Sequence, residues 1–149
     1  MVEIANAAEA ATRREMHFAR ESANNHFASD ALVPLHAVSA ERWRRLSDNA
    51  IEPNGYFLPE WELAVNATAQ GRANVSAITA HVMASEGQRL IGLLPVVSAW
   101  RAYGIPLPAL VSADPYGTLA TPLLDRGRAD EAAADLMQQA RNAGAHALI

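Results

Sequence analysis

Cysteine is missing altogether from the 149 residues of this chain. No disulfide framework, thiolate-ligated zinc or thiol nucleophile is therefore available to it. Aromatic residues are scarce at 6%, although half of the chain is hydrophobic. A core of this composition is filled by alanine and small aliphatics, which lets helices and backbone approach closely. The hydrophobic share itself is that of a folded domain and not of a disordered chain. Lysine is absent too, so all 12 basic residues are arginine. They are scattered except for Arg42, Arg44 and Arg45, which spread around a helix and read as a solvated polar face. With a net charge of −4 and an isoelectric point near 5.7, the chain lacks the basic stripe of a nucleic-acid platform. Long hydrophobic runs are lacking as well. The longest uncharged stretch, Ala73 to Ser85, falls short of the ~20 residues that a membrane-spanning helix takes. The N-terminus, with Glu3, Glu9, Arg13 and Arg14, does not have the basic-then-apolar signature of a secretory signal. A soluble, cytoplasmic protein with no membrane span and no nucleic-acid partner is expected. The histidines (His17, His26, His36, His81 and His146) show no metal-ligand spacing, so no metal site is expected either.

What the chain does contain is a succession of well-punctuated segments. Residues 1–30, rich in Ala, Asn and Glu, read as a poorly ordered leader. Leu32 to Val38 reads as a short strand, and Pro34 places it at a sheet edge. Ser39 offers an N-cap for a helix reaching about Ala50, with Trp43, Leu46 and Ala50 on its buried stripe. Glu52-Pro53-Asn54-Gly55 is a turn, the Asn-Gly pair supplying a position that tolerates positive φ. Pro59 suits the first turn of a second helix, whose inner face is expected at Trp61, Ala64, Val65 and Thr68.

Val75 to Ala84 alternates at period two, Ser85-Glu86-Gly87-Gln88 is a turn, and Arg89 to Trp100 forms a partner strand. Because Leu90 to Val97 is almost continuously apolar, that strand belongs at the sheet centre, buried on both faces. Gly92 and Pro95 within it suggest a bulge or bend. A Pro-rich connection leads to a brief strand, Ala109 to Ser112. A third helix is expected over about Gly127 to Ala143, with Asp125 as its N-cap, Ala129, Ala132, Ala133, Leu136, Ala140 and Ala143 on its inner face, and Gly144 just past its end. Ala145 to Ile149 reads as the opening of another strand, so the unit spanning 31–149 is expected to be incomplete at its C-terminus.

The order of elements, together with Glu52-Pro53-Asn54, Pro59-Glu60-Trp61, Gly87-Gln88-Arg89-Leu90-Ile91-Gly92-Leu93-Leu94-Pro95-Val96, Pro115-Tyr116-Gly117 and Thr121-Pro122-Leu123-Leu124-Asp125, resembles the cellulose-biosynthesis (CelD-like) group of GNAT acetyltransferases. The resemblance covers about Leu35 to Ile149 and corresponds to the N-terminal half of those proteins. It implies an α/β (α+β) fold: a mixed, largely antiparallel sheet flanked by helices, cut off after the start of its fifth strand. It also implies acetyl-CoA or another acyl-CoA as co-substrate of the full-length protein, a C-terminal GNAT-like half as partner, and a small-molecule or polysaccharide-related acceptor. A non-catalytic GNAT-like scaffold or substrate-recognition half-domain is the alternative in a different class. The half lacking its companion strands is expected to expose apolar surface and to self-associate.

Acyl transfer to an amine or hydroxyl needs a base near the acceptor and a donor to the thioester oxygen. The candidate catalytic residues are Tyr116, in a loop where Gly117 allows close backbone approach, His81 in the middle of the hairpin, and Glu52 in the turn. The candidate cofactor loop is Gly127-Arg128-Ala129, which is similar to the end of the family's Gly-rich loop, whose backbone N–H groups hold pyrophosphate at a helix N-terminus. Leu124 stands where that loop carries Gln or Arg, and Asp125 sets a carboxylate at the end that receives the anion. The expectation is that this half alone does not bind acyl-CoA.

Overall fold

The computed structural model describes residues 31–68, 75–85, 87–113 and 120–149. The expected leader and Tyr116 lie outside the described residues. Within them the chain is a mixed α/β fold: an open, largely antiparallel sheet of six strands, flanked by helices.

The sheet is organised by the hairpin β2 (Ser76–Ala84) and β3 (Gly87–Ser98). Their register runs from Ser76 opposite Val96 to Ala84 opposite Gly87. Gly87 closes the turn at φ 103°, a left-handed conformation that a side chain resists. β3 is central, as its unbroken apolar run demands, with every residue from Leu90 to Val96 buried. The ladder slips by one residue between Ala80 and His81, so that His81 faces Leu90 and Ile91 is the extra residue. This is the bulge that Gly92 advertises.

One edge of β3 carries β2 and then β1 (Val33–Pro34), the edge strand that Pro34 requires. The strand expected over Leu32–Val38 is shorter than that, because Leu35–Ala37 winds into a 3₁₀ turn. The other edge of β3 is shared by two strands: β4 (Ala109–Ser112) pairs with Val96–Ser98, and β5 (Leu123–Leu124) pairs with Gly92–Leu93. β6 (Ala147–Leu148) lies parallel to β4.

Among the described residues four α-helices flank the sheet. α1 (Ala40–Asp48) starts at Ser39, whose hydroxyl accepts from the Arg42 N–H at 3.4 Å, and it buries Trp43 and Leu46. The Trp43 indole donates to the Phe57 carbonyl at 2.7 Å, tying α1 to the following turn. In that turn Asn54 caps by accepting from Tyr56 N, and Gly55 does not take the left-handed conformation expected of the Asn-Gly pair. α2 (Pro59–Thr68) begins at Pro59 but faces the other way from expectation. It buries Pro59 and Glu62, while Trp61 is exposed and meets Tyr56 edge-to-face at 6.1 Å. α3 (Ala99–Tyr103), capped by Ser98, takes the place of the end of the expected strand. α4 (Ala129–Asn142) buries Ala132, Leu136 and Ala140, and Gly144 follows it at φ 88°. Its N-cap is Arg128 and not Asp125.

Alternation along β2 puts Ala80 on one face and Thr79 and His81 on the other. α4 covers the Ala80 face. There Gly92 is required by space, since a Cβ would sit 3.0 Å from Ala80 Cβ and 3.3 Å from Ala132 Cβ and Leu136 Cγ. α1 lies over the Thr79 face, and the two layers give one continuous core from Trp43 and Phe57 to Leu136.

Candidate functional site

The chemistry-bearing side chains gather where α1, the hairpin turn and the end of β5 meet. Asp125 is the hub. It follows β5, and its own N–H donates to the Ile91 carbonyl at 2.8 Å, which extends the β5 pairing by one residue. Its side chain is buried, and its carboxylate accepts three hydrogen bonds: from Arg89 Nη2 at 2.9 Å, Asn49 Nδ2 at 3.0 Å and the Gly127 N–H at 3.0 Å. Its carbonyl accepts from Arg128 N at 3.0 Å. The end of α1 is drawn to the same place, since Arg126 N donates to the Asn49 carbonyl and Ile51 N to the Leu124 carbonyl.

This arrangement bears on the candidate cofactor loop. Of the three residues, Gly127 and Arg128 have their N–H groups committed to Asp125. The Arg128 side chain pairs with Glu131 at 2.8 Å. Asp130 and Glu131 in the first turn of α4 complement the helix dipole with protein carboxylates. Ala129 begins the helix. Gly127 is not in a left-handed conformation, and a Cβ there would meet only Asp125 Oδ1 at 3.4 Å. The loop is thus satisfied by its own aspartate.

The remaining candidates are not brought together. Glu52 is exposed in the turn after α1. His81 is half-buried in β2, its backbone N–H donating to Asp135 Oδ2 at 3.3 Å where the bulge takes it off the ladder. Burial lowers the pKa of its imidazole, Arg42 adding to that effect and Asp135 opposing it. No hydrogen bond or ion pair links His81 to Glu52. Among the described residues no group of three His, Asp or Glu side chains gathers to hold a metal. No helix among them is long and apolar enough to cross a membrane.

Beside Asp125 lies an open cleft of about 650 Å³, floored by Leu46 and Leu90 and walled by Arg42, Arg45 and Arg89. A smaller cavity of about 150 Å³ adjoins it through Ser39, Arg42 and Leu90 and reaches Thr79 and His81. Arg44, the middle arginine of the triplet, points elsewhere and pairs with Glu60. All three arginines are exposed, as the reading of a solvated face expects, and Arg42 and Arg45 also line the cleft. The spacing of Arg42, Arg45 and Asn49 along one flank of α1 is the signal that could have marked it.

Comparison with protein families, curated proteins and solved structures yields no match to this chain.

Proposed function

We propose that this chain is the substrate-side half of an acyl-CoA-dependent acyltransferase of the GNAT type, working in the cytoplasm beside a second GNAT-like half that holds acyl-CoA. The order of elements supports the reading: a long antiparallel hairpin, then α3, β4, β5, α4 and a last strand, β6, that pairs in parallel with β4. The division of labour rests on one observation, the Asp125 carboxylate seated on the Gly127 N–H. A pyrophosphate would have to displace that carboxylate from the same donor and then face it at close range. An acceptor linked to polysaccharide synthesis follows from the resemblance alone.

Thermal unfolding of this chain in millimolar acetyl-CoA tests the division. Ligand at about a hundred times its Kd stabilises a fold by about 2.7 kcal/mol, which moves Tm by several degrees. No shift is expected. A saturable rise that Gly127→Glu abolishes would put the cofactor in this half and overturn the proposal. The reaction itself is tested by thiol release from acetyl-CoA with the protein at its natural length, offering amine and saccharide-hydroxyl acceptors in turn. Failure with every acceptor favours the non-catalytic alternative, a half-domain that packs and recognises without transferring.

A further inference from the structure

We infer that the cleft between α1 and the β2–β3 turn binds a small molecule through an oxyanion group, phosphate or carboxylate, gripped by Arg42 and Arg45 with Arg89 beside them. The inference stands on the cleft and does not depend on the acyltransferase reading.

Among the described residues, three guanidiniums from two separate elements, α1 and β3, line one concavity with two carboxylates, Glu41 and Asp125. Both carboxylates are committed. Glu41 pairs with Arg45, and Asp125 is held by Arg89, Asn49 and Gly127. Among the described residues no carboxylate pairs with Arg42. The described residues of the cleft therefore carry an excess of positive charge on a chain whose net charge is −4, and a concave low-dielectric wall concentrates such a field. Arginine is also the side chain whose planar fork matches carboxylate and phosphate oxygens two at a time.

Arg45 is not locked by Glu41. Both side chains are largely exposed, at 70% and 74%, and such i,i+4 pairs are weak enough in water for an incoming anion to share the guanidinium. Arg89 is held more firmly, because its partner Asp125 is buried, so it contributes field and shape more than a free fork.

Arg42 lines both cavities. An oxyanion on its guanidinium leaves the rest of the ligand free to extend toward Val33, Val38 and Thr79, a mostly apolar branch whose polar groups are the Ser39 and Thr79 hydroxyls and the His81 imidazole. The ligand class is accordingly a small phosphorylated or carboxylated molecule with a compact, weakly polar body.

Titration of ¹⁵N-labelled protein with inorganic phosphate, and separately with succinate, at ionic strength held constant with sodium chloride, tests the inference. Saturable shifts are expected around Arg42, Arg45 and Arg89 in at least one arm, and the stronger arm tells phosphate from carboxylate. Arg42→Ala should weaken binding at least about tenfold, or about 1.4 kcal/mol. Arg45→Ala, an independent variant at an exposed position, should weaken it too. Arg44→Ala, outside the cleft, should leave it unchanged. Absence of saturation in both arms at tens of millimolar, or equal loss in Arg42→Ala and Arg44→Ala, would overturn the site.

Discussion

On one face of the β2–β3 hairpin, α4 lays Ala132 and Leu136 against Ala80 and Gly92 at van der Waals distance. On the other, α1 buries Trp43 and Leu46 and then presents Arg42, Arg45 and Asn49 to an open cleft. The two helices do the same work for the core by different means. Small side chains bring α4 close against the hairpin, whereas a large anchor flanked by long charged side chains lets α1 seal the core and still leave a hollow at its margin. The comparison sets a closely packed face under α4 against a face under α1 whose margin is open.

The largest expected effect comes from Asp125, which holds the α1 side to the sheet. Asp125→Ala removes three hydrogen bonds to a buried carboxylate and leaves the half-exposed Arg89 without its partner. Loss of about 3 kcal/mol is expected in urea unfolding, the range for a buried charge-assisted network whose cation remains partly solvated. A loss within experimental error would mean that the apolar contacts of α1 alone set its position.

A paired substitution sharpens the contrast between faces. Gly92→Ala forces a methyl against Ala80, Ala132 and Leu136 and should cost about 2 kcal/mol, as overpacking of a tight interface does. Arg42→Ala, on the cleft side, should stay within about 0.5 kcal/mol of the parent. Equal costs would erase the distinction between a closed face and an open one.

The smallest effect is a pH dependence at His81. Burial lowers the pKa of the folded imidazole, Arg42 adding to this and Asp135 acting against it. As pH falls, the unfolded chain takes up the proton first. The stability associated with neutral His81 is therefore full above the ordinary histidine pKa of about 6.5 and declines as pH drops below it, until the folded form titrates as well. His81→Gln has no such component, so the parent should lose stability relative to the variant between about pH 7 and pH 5. Parallel pH profiles for the two would mean that His81 is as well solvated as a free histidine.

Much of the fold was legible because local signals agreed with tertiary demands. The period-two segment from Val75, the apolar run through Val96 and the turn at Gly87 specify the hairpin and its central place. Ser39 and Pro59 mark their helices correctly. Where reading failed, a neighbour outvoted the pattern. Trp61, expected on the inner face of its helix, lies against Tyr56 and is exposed, while Glu62 goes inward. α3 was hidden because Ala99 and Trp100 continue the apolar run of β3, and only the Ser98 cap signals the change. Asp125 does sit just ahead of α4, but its carboxylate acts two residues away on Gly127 and leaves the cap position to Arg128. β5 is only two residues long, too short for periodicity to register. The cleft was illegible for a different reason: Arg42 and Arg45 meet Arg89 only after α1 has docked on the hairpin, and no local pattern encodes that meeting.

The Asn49–Asp125 hydrogen bond joins residues 76 positions apart, and this separation carries a kinetic meaning. The hairpin closes across a turn of a few residues, while the α1–β5 junction must close a loop of just over half the chain, whose entropy is lost before any contact repays it. Hairpin formation early and junction formation late is the order this topology dictates. Asp125→Ala should then speed unfolding and leave the refolding rate almost untouched, with a φ-value near zero in a chevron analysis; slowed refolding would place the junction in the nucleus instead. The arginine cleft exists only when that last closure is made, so anything bound there recognises the finished fold and none of its precursors.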